Sequence, residues 1–428
     1  MVNDFVEGFI ACEARVAKLL TASTVDPAPL PQALCAVLHM FDESETGRMA
    51  AIPFVKCAKA SSIPVSARES RLISAIAAWV DGDLPRAIRL HEEQARECPR
   101  DLVSLKLGQY HLFNRGDSVG MLRLALSAQH AVFDVPYFHG MLAFAWEQTH
   151  FLKEAEVSAR HGIAMCRKEP WAHHALAHVM LTQGRLAEGL EFLGDVCDTW
   201  TGLNSFMESH NWWHAALFAL ELGEYDEALR LFDDQVWGVE RSYSQDQVNA
   251  VSLLSRLELS GVDVGGRWQD VAKHIAVRTQ DQVLPFLEAH YLYGLARASH
   301  PEAIQLLGRI ERHALNILSS TDSWSVTWNE IAVPLCRGLL AHANLDWRPA
   351  ADALCQALPR LAEIGGSHAQ RDLFELIQLD ALWRSGRYSQ AQHLLQRRLN
   401  HQPESLRLKR QAGAFYKELG LEELSNRS

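Results

Sequence analysis

Apolar residues along this chain recur at three- and four-residue intervals, the period of amphipathic helices. Pairs of such stretches are separated by short turns, and the turns themselves repeat. Gly82-Asp83-Leu84-Pro85-Arg86-Ala87 is followed by Gly116-Asp117-Ser118-Val119-Gly120-Met121, then His150-Phe151-Leu152-Lys153-Glu154-Ala155, then Gly184-Arg185-Leu186-Ala187-Glu188-Gly189. The last residues of these stretches, 87, 121, 155 and 189, lie 34 apart each time. Gly223-Glu224-Tyr225-Asp226-Glu227-Ala228 repeats the pattern after a step of 39. In the general form of this turn the glycine ends one helix, a large residue plugs the gap, and a small residue lets the next helix pack closely. The pattern predicts that Gly82, Gly116, Gly184 and Gly223 close first helices and that Ala87, Ala155 and Ala228 are buried at helix–helix contacts.

A turn of the form Gly-x-(Tyr/Leu)-x-x-Ala between two amphipathic stretches is a tetratricopeptide signature. One helix pair cannot bury its apolar face alone, so neighbouring pairs must stack. The expected fold is all-α: a tetratricopeptide-like superhelical solenoid of antiparallel helix pairs. Residues 1–67 read as a helical N-terminal segment, broken by Pro27, Pro29 and Pro31. Residues 68–240 carry five helix pairs, and residues 241–428 continue as less regular pairs of the same solenoid. That last part holds a break at Gly261-Val262-Asp263-Val264-Gly265-Gly266 and turns at Asp346-Trp347-Arg348-Pro349-Ala350 and Gly386-Arg387-Tyr388-Ser389-Gln390-Ala391.

Charge and cysteine usage narrow the function classes. A net charge of −11 argues against unspecific nucleic-acid binding, which needs a basic field. The basic residues Arg397, Arg398, Arg407, Lys409 and Arg410 read as a solvated helix face. Eight scattered cysteines without a CxxC read as small buried hydrophobes. No apolar run reaches the roughly 18 residues of a membrane span, and the first residues lack a secretory pattern. The expectation is a cytoplasmic protein without nucleic-acid or membrane partners.

Candidate chemistry falls on the first helices of two consecutive pairs, whose inward places follow from the 3.6-residue period. His174 and His178 occupy such places in one pair, and His210 and His214 in the next. Each couple is spaced i, i+4, so each presents two imidazoles on one helix face. These four are the candidate catalytic residues and the candidate ligands of a divalent transition metal, expected to face one common cavity. Glu147 could look into the same space, and Trp171, Trp212 and Trp213 flank it. Imidazoles in this arrangement suit zinc, iron or another borderline metal, or shuttle protons on a small substrate. The same spacing also serves histidines that fill helix–helix seams. Elsewhere, His290 follows Glu288 on an apolar helix. Gly365-Gly366-Ser367-His368-Ala369-Gln370-Arg371-Asp372 reads as a helix start capped by Ser367, with Arg371 and Asp372 tying repeats together or the glycine pair offering donors to an anion.

These motifs resemble those of the tetratricopeptide-repeat protein 38 family over nearly the whole chain. The resemblance is carried by His210-Asn211-Trp212-Trp213-His214 running on to Gly223-Glu224-Tyr225, by Gly261 to Val271 with Arg267-Trp268-Gln269-Asp270, and by Gly365 to Asp372. It implies the same solenoid fold and supplies no settled reaction. It also implies a histidine where this chain has Gln109, a glutamate after His178 where Met180-Leu181-Thr182 stands, and an aspartate at Asn249. Three polar places have thus lost charge or ligand capacity, by loss or by retuning, while His174, His178, His210 and His214 match.

Two functions remain open. In the first, a His- and Trp-lined pocket, with Glu147, Trp171, Trp213, Gln109, Asn249, His290 and Arg371 as ligand-binding residues, takes a small polar ligand with a metal as candidate cofactor and supports catalysis of unassigned class. In the second, a non-enzymatic scaffold holds a peptide partner in its groove. Peptide-carboxylate clamps use Lys, Arg and Asn on the inner wall; here His, Trp, Phe and Tyr stand there, with Lys106 the lone lysine, which favours the pocket.

Overall fold

Among the described residues, a series of turns passes through the left-handed backbone region at the place where one helix of a pair gives way to the next. They centre on Gly82, Gly116, His150, Gly184, Gly223, Gly261, Ser299, Leu345, Gly386 and Gly420, with φ between 54° and 84°. Glycine suits seven of them because it has no Cβ to clash there. His150, Ser299 and Leu345 take the same conformation at a cost, held by the helices they join. The computed structural model describes residues 1–22, 27–318 and 323–425. Among these the chain is all-α, a tetratricopeptide-like solenoid of antiparallel helix pairs. A single bridge between Glu13 and Leu203 is the nearest approach to a strand among them.

Helix starts follow side-chain chemistry. Asp83, Asp101 and Asp117 each accept the backbone N–H three residues on, and Ser66 with Glu69 and Ser367 with Gln370 form reciprocal capping boxes. Pro136, Pro170 and Pro285 open helices where a missing N–H costs nothing. The small residues of the repeat are fully buried, as at Ala87, Ala155 and Ala228. At Gly189 the approach is closer still: a Cβ there would lie 2.9 Å from Cε2 of Phe218 and nearer to two other ring carbons.

The chain divides into two compact units, residues 1–176 with 198–208, and residues 177–197 with 209–428. In the first, the core includes Phe5, Leu34, Val37, Ile76 and Leu107. Two regions the sequence did not resolve into pairs are pairs in the second unit: helices Ser244–Leu259 and Arg267–Ile275 flank Gly261, and Pro285–Arg297 and Glu302–Asn316 flank Ser299. The second unit also closes on itself. Glu221 accepts from Arg407 Nε at 2.9 Å and from the Ser405 hydroxyl, and Gln402 Nε2 donates to the Leu181 carbonyl at 3.1 Å. Its last helices therefore dock on its first. Arg398 and Arg407, expected on a solvated face, are in fact buried. Burial is tolerable because Arg398 meets Asp372 at 2.6 Å and Arg407 meets Glu221 at 2.8 Å. No described helix is long and apolar enough to cross a membrane.

Candidate functional site

Two helices carry the candidate residues, Pro170–Thr182 and Ser205–Glu221. The first starts on Glu169, whose carboxylate accepts the Ala172 N–H. Burial pushes Glu169 up to about 8, against the pull of that bond and of Lys106. Gly140 makes the start possible, since a Cβ there would come within 2.8 Å of the Ala172 nitrogen and 3.0 Å of the Glu169 carboxyl carbon.

From these helices His174, His178, His210 and His214 converge. One ligand atom from each lies within 4.8 Å of every other. The rings of His178 and His214 are 4.5 Å apart at 60°, and those of His210 and His214 4.9 Å apart at 80°. The boundary between the two compact units falls inside both helices, so the four side chains belong to two continuous helices. All four are at most 2% exposed. The sequence picture had them lining a concave pocket and facing one common cavity; in the structure they are buried. Their neighbours explain it: Phe144 and Trp171 pack on the His174 ring at 5.0 and 4.7 Å. Trp213 stacks on His210 at 5.0 Å and 11° and meets His214 edge-on at 4.8 Å.

Burial drives His210 down to about 3; the hydrogen bond it makes to the Asn249 side chain opposes the shift and the nearby His178 adds to it. At neutral pH this ring is uncharged and keeps a nitrogen lone pair. Arg256 lies over Trp213 with its guanidinium carbon 5.6 Å from the ring, and burial lowers it to about 10, so it stays charged. The converging set is thus four imidazoles without a carboxylate among the described residues. Nitrogen-only sets of this kind suit borderline divalent ions such as zinc, copper or nickel.

The remaining expected residues are dispersed. Glu147 is fully buried but does not belong to the converging group. Gln109 donates to the carbonyls of Met121 at 3.4 Å and Met141 at 3.3 Å. Asn249 reaches the cluster, its Oδ1 2.9 Å from His210 Nδ1. Leu181 offers its carbonyl to the Gly184 N–H and to Gln402 Nε2. His290 bonds the Phe286 carbonyl through Nδ1 at 2.8 Å and sits between Phe286 and Phe374. Arg371 donates to the carbonyls of Gly365 and Gly366 in its own turn. It is Asp372 that reaches other helices, meeting Arg398 at 2.6 Å and Arg256 at 3.8 Å. A Cβ on Gly366 would overlap the Phe286 ring, so that glycine serves packing.

Sequence reasoning passed over Glu169, His173 and Arg256. Glu169 precedes a proline at the first helical position, a place where a capping acid is favoured, and that signal was available. His173 bonds Trp200 at 3.3 Å across 27 residues, and Arg256 reaches Ala369 across 113; no local spacing announces either.

No family model matches the chain. Among solved structures, it is similar to a human IFIT1 dimer with PPP-AAAA, at 13% identity and a TM-score of 0.43, covering 94% of this chain and 89% of that one. It is also similar to Naa15/Naa10 bound to HypK-THB, at 12% identity and a TM-score of 0.26, covering 95% of this chain and 63% of that one.

Proposed function

We propose that this protein holds a divalent transition-metal ion through His174, His178, His210 and His214 and uses that centre to bind a small polar ligand. The observation that carries this reading is the convergence of four buried imidazole nitrogens within 4.8 Å. Packing alone is satisfied by apolar side chains at less desolvation cost, so four imidazoles meeting at one point need a further reason. A bound ion would supply Lewis acidity and a water of lowered pKa. The chain's own part is to keep His210 neutral by burial, to orient the rings through Trp213 and Asn249, and to shut out bulk water. Membership of the tetratricopeptide-repeat protein 38 family, resting on the motifs quoted above, belongs to the same proposal.

The peptide-scaffold alternative loses its one inner lysine. Lys106 Nζ donates to the carbonyls of Phe9 at 2.9 Å and Ile10 at 3.3 Å and to Cys12 Sγ at 3.0 Å. It is engaged by its own chain and poorly placed to clamp a peptide carboxylate.

The test is elemental analysis of the purified full chain, followed by zinc and cobalt titration of the metal-stripped protein. One equivalent of ion bound by the parent, and lost in His178→Ala and His214→Ala with the helical signal retained, supports the proposal. Stoichiometric binding unchanged in both variants overturns it, as does a parent that binds neither ion. Destabilisation of each variant by about 1–3 kcal/mol in a protein that takes up no ion returns the histidines to the core.

A further inference from the structure

Behind His210 runs a line of buried polar groups that the four-histidine reading does not use. His210 Nδ1 and Asn249 Oδ1 are 2.9 Å apart. Asn249 Nδ2 donates to Ser209 Oγ at 3.3 Å, and Ser209 Oγ donates to Asp246 Oδ1 at 2.7 Å. The other Asp246 oxygen accepts the Glu240 backbone N–H at 3.2 Å. Ser209, His210, Asp246 and Asn249 are all at most 2% exposed, so water does not compete for these bonds.

The line has a direction, and the direction is set at its far end. An ionised carboxylate only accepts. Ser209 therefore points its single proton at Asp246, and its oxygen is left to accept from the Asn249 amide. That turns the Asn249 carbonyl toward His210. An acceptor in that place requires the ring proton on Nδ1, and a neutral imidazole carries only one, so Nε2 keeps its lone pair.

We infer that Asp246, acting through Ser209 and Asn249, fixes the tautomer of His210 and presents its Nε2 as the donor atom of the cluster. Asp246, Ser209 and Asn249 are positioning residues, bonded behind the ring in the way that orients metal-bound histidines. The use of the relay rests on the metal reading proposed above, whereas the relay itself is a property of the metal-free protein.

The experiment is long-range nitrogen–proton NMR of the histidine rings in the metal-free full chain, with His210→Gln used to assign the His210 signals. The parent is expected in the Nδ1–H form. Ser209→Ala and Asp246→Asn should each shift His210 toward a mixture of tautomers and weaken zinc binding by about ten- to a hundredfold. Adding Asn249→Asp to Ser209→Ala should restore the Nδ1–H form, because a carboxylate there accepts without help from Ser209. A parent His210 in the Nε2–H form overturns the inference, as does an Nδ1–H form unchanged in both single variants. An Nδ1–H parent that responds to these substitutions but binds no zinc supports the relay and defeats the metal reading alone.

Discussion

Two glycines on one helix should respond to the same substitution with opposite signs. Gly189 and Gly194 both lie in Leu186–Val196. Replacing a helical glycine with alanine removes backbone freedom from the unfolded chain and is worth about 0.8–1.0 kcal/mol. At Gly194 nothing lies within 4 Å of the added Cβ, so the full gain should appear. At Gly189 the methyl would sit 2.9 Å from Phe218 Cε2 and closer to two other ring atoms. Carbon atoms prefer about 3.5–4.0 Å, and the ring is completely buried, so it must move by about an ångström against packed neighbours. Overpacking of this kind costs about 1–3 kcal/mol. Subtracting the helix gain leaves Gly189→Ala destabilised by roughly 0–2 kcal/mol, toward the upper end because the ring has no open side. The two variants should therefore differ by about 1–3 kcal/mol, or several degrees in melting temperature at about 2–4 °C per kcal/mol. Phe218 lies one turn beyond His214 on the same helix, so Gly189→Ala should weaken metal uptake as well and Gly194→Ala should not. Thermal and urea unfolding followed by circular dichroism decide the matter. A Gly189→Ala protein as stable as Gly194→Ala would refute the packing account of the repeat.

Other outcomes follow from the same structure. Ala155→Leu and Ala228→Leu, at fully buried seams, should each lose about 1–3 kcal/mol by thermal melt; unchanged midpoints would place the repeat register elsewhere. Arg407→Met should cost the second unit about 3–5 kcal/mol by leaving buried Glu221 without its cation, and Glu221→Gln added to it should recover most of the loss in urea titrations. Stability should also peak in pH. His91, His173 and His290, each driven by burial from 6.5 to about 4, are neutral when folded but protonate on unfolding, so stability falls as pH drops from about 6.5 to about 4. Glu169 and Glu288, pushed by burial from 4.5 to about 8, hold protons that the unfolded chain releases, so stability also declines as pH rises from about 4.5 to about 8. Three histidines outweigh two carboxyls below about 6.5. Glu288→Gln should flatten the alkaline limb of the profile measured by urea unfolding from pH 5 to 9, and an unaltered limb would mean Glu288 is not held neutral.

Much of this architecture was legible because the turn residues act locally. Gly82, Gly116, Gly184 and Gly223 announced left-handed turns that the backbone takes, and a 34-residue period needs only short-range chemistry to be read. The pair around Ser299 was missed for the converse reason. At Ser299 the left-handed turn is made without glycine, and its small partner, Ala303, comes one residue early. At the site, i, i+4 spacing placed two imidazoles on each helix face, but it carried no information on depth. The aromatic rings that bury the cluster include Phe144, 30 residues before His174, and the Asn249 amide comes from a helix 39 residues beyond His210. Such contacts are fixed by tertiary packing, which spacing along one helix does not encode.

The docking of the second unit's last helices on its first ones has a consequence for how the protein is made. An ordinary repeat array can fold as it leaves the ribosome, each pair zipping onto the one before it. Here Ser405 and Gln402 bond to residues 184 and 221 positions earlier, so the helices around Leu181 and Glu221 wait for these neighbours until residues beyond 400 have been made. Contacts of such high sequence separation slow folding, since the loop must close before the contact rewards it. Nascent chains arrested near residue 400 should therefore hold helical but protease-sensitive structure in this unit, and resistance should arrive in a single late step when the segment carrying Ser405 and Arg407 emerges.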